Sequence, residues 1–366
     1  MKFNNITGDI NYVPLKTYDE LIGCYVDIVK KVNGVKSIIQ IGSFTAPGLS
    51  DIDIIVIVDN KNPPKWDEIS IKKLLTNKNG YEVIAHDVFV YPEYLAKYIE
   101  GLFYLNSKTI LHGKDIGGYL PDSMITELKL IITFEYSVHR LETLVVLTSL
   151  STVHIRDILL LISTLRHTYD LLYDFDLIKI EDRDQGIQNI EELRKYSLNK
   201  NKDMGDLIQK LNEWIIPCYK SIYKSTFLLG NKLNYIEPIK LTSWILNYKK
   251  LIYNINNIEQ AVINFIKFCK LNKLFSAKIL VYIMPYCVYQ HVSLYQKINN
   301  ENLMDFDCMT PLNLRYVLAS DHKKFLQINH YPIANSYIIT DNTAPRPSDL
   351  VKKYLLSALK LISVVK

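Results

Sequence analysis

The sequence predicts an α+β protein with a small mixed sheet and flanking helices in its first third and a larger all-α region after it. Three observations carry that expectation. β-Branched runs alternate with helical patterns up to about residue 120, amphipathic helical periodicity dominates beyond Pro121, and 48% hydrophobic against 22% charged residues supplies ample core. The 366 residues suit two unequal domains, 1–120 and 121–366.

The first helix is expected at Tyr18 to Asn33, where Leu21, Ile22, Tyr25, Ile28 and Val29 recur at helical spacing. "VKSIIQIG" then reads as a strand, followed by Gly42, Ser43 and a turn containing "APG". A second strand runs from Asp51 to Val58 and ends in the polar loop "DNKNPPKWDE". A helix from about Glu68 to Leu75 leads through "NKNG" to a third strand, "YEVIAHDVFVY", closed by Pro92.

Beyond Pro121 four stretches have apolar residues three and four apart, the mark of amphipathic helices: "MITELKLIITFEYSVHRLETLVVL", "VHIRDILLLISTLRHTYDLLYDF", "LIQKLNEWIIPCYKSIYKSTFLL" and "NIEQAVINFIKFCKLNKLF". Breaks are expected at "EDRDQG", "LNKNKDMGD" and "KINNENLMDFD". The uncharged stretch Ile279 to Gln296 reads as a buried helix rather than a membrane span, because Pro285 and four polar residues interrupt it. "SDLVKKYLLSALKLISVVK" reads as a basic amphipathic helix docked on its own protein.

Net charge is +5, a mild excess that tolerates a polyanion without requiring one. The five cysteines form no C-x-x-C pair, which argues against a zinc knuckle or a disulfide scaffold. The N-terminal stretch lacks the apolar core of a secretion signal, so a reducing cytoplasm is the expected compartment. Tyrosine is spread along the chain without basic interleaving, which suits packing better than a nucleic-acid platform.

"IGSFTAPGLSDIDIIVIVD" raises the question of function, because it sets Asp51 and Asp53 at the mouth of a β-branched run. Residues two apart in a strand share a face, so the two carboxylates repel unless a cation holds them. Hard oxygen donors at this spacing suit Mg²⁺ or Mn²⁺, whose remaining coordination a nucleotide's phosphates would supply. Gly42 allows close approach of backbone to a phosphate, and the Ser43 hydroxyl can bind its oxygens. Asp87, another acid in an apolar run, is expected on a neighbouring strand, where it would complete a set able to hold two metal ions. His86 is expected to point the other way and to serve packing or a hydrogen bond.

These elements together resemble the nucleotidyltransferase superfamily that includes DNA polymerase beta and the aminoglycoside nucleotidyltransferases, over roughly residues 20 to 120. The resemblance implies that Asp51 and Asp53 ligate both Mg²⁺ ions, that Asp87 holds the catalytic metal and helps activate the acceptor, and that Gly42 and Ser43 hold the β,γ-phosphates. "ILHGKDI" resembles the segment that closes the catalytic domain in small members. The spacer "FTAPGLS" departs from the pattern because it is uncharged. Neutralising the triphosphate then falls to the metals and to basic residues elsewhere, with Lys114, Arg140, Arg156 and Arg166 as candidates. His139, His154 and His167 lie among helical arginines and aspartates and can be cleft or bundle residues.

The resemblance thus implies transfer of a nucleoside monophosphate from an NTP, ATP being the expected donor, to a hydroxyl or phosphate acceptor. A small-molecule or protein acceptor is favoured over RNA because no basic stripe is visible. A homo-oligomer is compatible with this reading, and a membrane span is not expected. The rivals are an inactive nucleotide-binding module and a peripheral membrane protein working through its C-terminal helix.

Overall fold

The structure, a computed structural model, describes residues 2–10, 12–42, 44, 48–102, 107–148, 152–199, 203–232, 241–245, 249–253, 279–282, 311–332 and 337–340. The chain divides into two compact units, one of residues 10–136 with 286–335 and the other of residues 1–9, 137–285 and 336–366. In chain order the first elements are β1 (Ile6–Thr7), α1 (Leu15–Val29), β2 (Val35–Ile41), β3 (Asp53–Val58), α2 (Trp66–Ile69), α3 (Ile71–Leu74), β4 (Phe89–Pro92), α4 (Glu93–Ala96) and β5 (Lys108–His112). They are followed by α5 (Asp122–Thr148), β6 (Val153–His154), α6 (Ile155–Asp174), α7 (Ile180–Leu198), α8 (Met204–Lys232), β7 (Leu241–Ile245), β8 (Lys249–Tyr253), β9 (Ile279–Tyr282), α9 (Pro311–Ile328) and β10 (Tyr337–Thr340).

The first unit is built on a four-stranded sheet of order β4-β3-β2-β5. β2 runs antiparallel to β3 and β5, while β4 runs parallel to β3, so the sheet is mixed. β3 forms because "IIVIV" is β-branched throughout, and it reads as an unbroken apolar run because both its faces are covered. Ile54, Val56 and Val58 pack with Ile52 against Tyr18, Leu21, Ile22, Tyr25 and Val29 of α1. Ile55 and Ile57 face the other way, into a core with Ile39, Ile41, Tyr91, Leu95, Ile99 and Leu128. Each such side chain contributes about 1.5–3 kcal/mol of burial, so the centre of the sheet is a rigid platform. Pro92 ends β4 at the sheet's edge, where the lost N–H costs least.

Three local features differ from the sequence expectation. The Glu68–Leu75 helix is two single turns divided at Ser70, whose extended backbone ends α2 and whose hydroxyl caps α3 by accepting from the Lys73 N–H at 3.2 Å. The third strand is shorter than expected: Tyr81–Val83 is a 3-10 turn, and only Phe89–Pro92 joins the sheet. The segment between leaves the ladder because its carbonyls are taken locally, that of Ala85 by the Lys72 ammonium at 2.6 Å and that of Asp87 by the His86 ring at 2.7 Å. Finally, β3 begins at Asp53, so Asp51 stands two residues before the strand.

α9 packs in this unit, although the sequence division assigned it to the helical domain. Leu314 and Leu318 enter the core under β4, and the buried Arg315 donates to the Gly101 carbonyl at 2.7 Å. His322 is buried, stacks on Tyr91 with ring centroids 4.2 Å apart, and donates from Nε2 to the Val90 carbonyl at 2.7 Å.

The other unit pairs β1 with β6 in parallel and packs α6, α7 and α8 around Leu159, Ile162, Leu172, Ile190, Leu211 and Ile222. β7 and β8 form an antiparallel pair, so this region is mainly rather than wholly helical. The expected break at "EDRDQG" is corrected: α7 runs through it, because Glu181 and Asp182 occupy the first turn, where acidic side chains favour the helix dipole. Gly186 there lies under the Tyr169 ring, which an added Cβ would meet at 2.6 Å. The break at "LNKNKDMGD" is observed between α7 and α8. The buried helix expected from Ile279 is corrected for its first four residues, which form β9 and pair antiparallel with β10 through "YIIT", a β-branched and aromatic partner. Residues 283–296, the stretches "NIEQAVINFIKFCKLNKLF" and "KINNENLMDFD", and the segment 348–366, where a C-terminal helix is expected, lie outside the described residues. Among the described residues, no helix is long and apolar enough to cross a membrane.

His322 yields a test of the packing. Burial lowers its pKa to about 4, only partly countered by the Val90 carbonyl, so the unfolded chain binds a proton more readily than the folded one. Its contribution to stability is therefore complete above about pH 6.5 and is lost as pH falls toward about 4, a swing of about 3 kcal/mol. Urea unfolding of wild type and His322→Gln at several pH values should show a steeper acid loss in the wild type. Parallel curves would contradict this assignment.

Candidate metal centre

The described ends of the segment joining β2 to β3, which lead to Asp51 and Asp53, are each tied down. Gly42 has a φ of 74°, a left-handed conformation suited to glycine, and exchanges hydrogen bonds with Ser107, N–H to carbonyl at 3.2 Å and carbonyl from hydroxyl at 3.1 Å. The buried Tyr18 hydroxyl donates to the Ser50 carbonyl at 2.7 Å and accepts from the Gly48 N–H at 3.0 Å. The Ile52 N–H reaches the Val83 carbonyl at 3.2 Å, and the Ile52 side chain is buried. Asp51 is thereby held at a fixed distance from Asp53.

The two carboxylates meet at His86. Its Nε2 makes a short hydrogen bond to Asp53 Oδ1 and lies 3.7 Å from Asp51 Oδ2. His86 is 7% exposed, and Phe89 packs on its ring with centroids 4.8 Å apart. Its Nδ1 faces the Asp87 carbonyl at 2.7 Å, and since a carbonyl only accepts, Nδ1 carries a proton. Burial by itself pulls the His86 pKa down, but the charge and hydrogen bond of Asp53, with Asp51 and the Asp87 carbonyl, outweigh it and push the value up to about 9. An imidazolium thus supplies the positive charge that the pair of aspartates requires.

The same geometry suits a metal ion. One donor atom from each of Asp51, Asp53 and His86 lies within 4.8 Å of the other two. The second oxygen of Asp53 is turned toward the Gly42 turn, where an added Cβ would stand 3.7 Å from Oδ2. The structure therefore brings Gly42, Asp51 and Asp53 together, as the sequence pattern implied. Ser43 lies outside the described residues.

Asp87 stands beside this group rather than in it. Its carboxylate accepts from the buried Ser70 hydroxyl at 2.5 Å and from the Val88 N–H at 3.0 Å. Burial pushes the Asp87 carboxyl above the usual carboxylate range, against the opposing pull of Ser70, Val88 and Lys72. The Tyr25 hydroxyl, which donates to the Ile69 carbonyl at 2.6 Å, is raised first by burial and then by the charge of Asp87. Where sequence reasoning expected a third acid, the structure supplies a histidine. Strand alternation concealed it, because residues 84–87 turn out of the sheet and the two-residue periodicity no longer applies.

Of the basic candidates, only Lys114 belongs to this unit. The Lys114 N–H donates to Ser37 Oγ at 2.8 Å, and Ser37 stands four residues along β2 from Ile41, the partner of Asp53. At strand spacing that is about 13 Å from the aspartate end. Arg166 pairs with Glu191 at 3.4 Å, and His154 caps α6 by accepting from the Arg156 N–H at 3.2 Å. Arg140, His139 and His167 belong with them to the other unit. Within this unit, two lysines that sequence reasoning passed over lie closer to the aspartate end than the Lys114 anchor does. Lys108 sits opposite Ile41 on β5, bonded to the Ile116 carbonyl at 2.6 Å and Asp115 at 2.7 Å, and Lys72 is held against the loop that carries His86.

No family model and no curated protein matches the chain. Among solved structures, a nucleotidyltransferase-like protein from Exiguobacterium sibiricum 255-15 is similar at 10% identity over 72% of this chain and 92% of that one, with a TM-score of 0.22. So low a score gives the likeness no weight, and the functional reading rests on the site itself.

Tyr18→Phe removes both hydrogen bonds that pin residues 48–50 and leaves a buried carbonyl and N–H without that partner. It should lower unfolding stability by about 1–3 kcal/mol and weaken Mn²⁺ binding, both measurable by urea titration and calorimetry. Unchanged Mn²⁺ affinity in a destabilised variant would show that this loop does not set the site.

Proposed function

We propose that the chain is a metal-dependent nucleotidyltransferase that moves a nucleoside monophosphate, AMP by expectation, from an NTP to a hydroxyl or phosphate acceptor. The observation that supports this most is the convergence of Asp51, Asp53 and His86 at the end of β3, with the Gly42 turn beside Asp53. In the reaction the acceptor oxygen forms a bond to the α-phosphorus, the bond from that phosphorus to the bridging oxygen breaks, and pyrophosphate leaves. The acceptor proton passes to a nearby carboxylate or to water. A divalent ion, Mg²⁺ or Mn²⁺, would neutralise phosphate charge and lower the pKa of the attacking hydroxyl.

In this reading Asp51 and Asp53 hold the ion, and Asp53, with one oxygen toward His86 and the other toward Gly42, joins the ion to the phosphate side. Gly42 and Ser43 present backbone and hydroxyl to the β,γ-phosphates. Asp87 positions His86 through its carbonyl and is itself fixed by Ser70. Lys114, anchored toward the other end of β2, would reach only the outer phosphate region. A small-molecule or protein acceptor remains the favoured class, and the compartment proposed is the cytoplasm.

The direct His86–Asp53 hydrogen bond favours a second reading, an ion cluster that closes the end of the sheet and binds nothing. Calorimetry of ATP, GTP, CTP and UTP with and without Mg²⁺ or Mn²⁺, joined to a pyrophosphate-release assay, separates the two. The enzyme reading expects divalent-dependent binding that Asp51→Asn/Asp53→Asn weakens about 100-fold or more. Binding indifferent to both ion and aspartates would support the second reading.

A further inference from the structure

We infer that the ion held by Asp51, Asp53 and His86 is a first-row transition-metal dication bound directly through His86 Nε2, in preference to Mg²⁺. This deepens the metal reading of the site but does not depend on nucleotide transfer.

The donor set carries the inference. Mg²⁺ is a hard ion that takes oxygen ligands in a near-ideal octahedron, keeps several waters, and is served by carboxylates and phosphates. Imidazole suits the softer end of the first row, whereas Asp51 and Asp53 alone would leave the choice open. Among the described residues the third donor within 4.8 Å of both aspartates is a ring nitrogen, and the nearby Asp87 carboxylate is turned to Ser70.

Ligation replaces the Nε2 proton, which leaves to solvent as the ion takes its place between the ring and the two aspartates, and the rest of the ring's setting is already prepared for it. Its Nδ1–H donates to the Asp87 carbonyl at 2.7 Å, which aims Nε2 at the two carboxylates. Metal-binding histidines are commonly held in this way, by a backbone carbonyl or carboxylate on the other nitrogen. That carbonyl is itself fixed, because the Asp87 side chain is bonded to Ser70 and to the Val88 N–H, and the nearby Ala85 carbonyl is bonded to Lys72. Phe89 closes one side of the ring, and 93% of His86 is shielded from solvent, its exposure being 7%. A ring so constrained cannot swing away to let an all-oxygen shell form without breaking the Nδ1 bond.

The test is a metal titration of the full chain without nucleotide, using Mn²⁺, Co²⁺ and Mg²⁺, with electron spin echo spectroscopy of the Mn²⁺ form for coupling to an imidazole nitrogen. The expected result is Mn²⁺ and Co²⁺ binding about 10-fold or more tighter than Mg²⁺, with a nitrogen signal that His86→Gln abolishes. His86→Asp, which restores an all-carboxylate set, should shift preference toward Mg²⁺, with circular dichroism reporting whether it folds. Mn²⁺ bound without nitrogen coupling, equal affinity for Mg²⁺, or no binding by the wild type would each overturn the inference. Nucleotide transfer supported by Mg²⁺ with no nitrogen coupling would do so while leaving the enzyme reading intact. A nitrogen-ligated ion in a protein that releases no pyrophosphate would do the reverse.

Discussion

Two carboxylates at the end of a buried strand repel each other, and the His86 ring between them is the contact on which this part of the molecule turns. To place that ring, residues 84–87 leave the sheet, with the Ala85 carbonyl taken by Lys72 and the Asp87 carbonyl by His86 itself. The cost is a third strand reduced to Phe89–Pro92. The return is a buried imidazole that faces two acids while its other ring nitrogen is held by the Asp87 carbonyl.

The rest of the unit keeps that contact in place. α1 covers one face of the sheet and supplies Tyr18, whose hydroxyl pins the loop bearing Asp51, and Tyr25, whose hydroxyl fixes the end of α2 next to Ser70. The other face is covered by α4, Leu128 and α9. The polar groups of the site thus rest on an apolar core packed on both sides, which limits their movement without any direct role in chemistry.

Much of this was legible in the sequence where one rule dominated. The run "IIVIV" could only be a buried strand, and the spacing of Tyr18, Leu21, Ile22 and Tyr25 could only be one face of a helix, so β3 and α1 are where the pattern put them, to within a few residues. Asp51, Asp53 and Gly42 followed from the same pattern. His86 did not, because its role comes from a local break in periodicity made by hydrogen bonds from Lys72 to the Ala85 carbonyl, from Ser70 to the Asp87 carboxylate and from the His86 ring to the Asp87 carbonyl, partners that are distant in sequence or hidden in the backbone. α9 was likewise assigned to the helical region, since its apolar residues reveal a buried face but not the β4 surface that it covers. At "EDRDQG" charge density read as a break, whereas acidic residues in a first turn stabilise the helix they begin.

The central claim is that Asp51, Asp53 and His86 together bind one divalent ion. The most direct test is an anomalous difference map from a crystal of the full chain soaked in Mn²⁺. The account predicts a peak within about 2.0–2.3 Å of a carboxylate oxygen of each aspartate and of His86 Nε2. A map without that peak, with His86 still hydrogen-bonded to Asp53, would show that the imidazolium is itself the cation the aspartates were placed to hold.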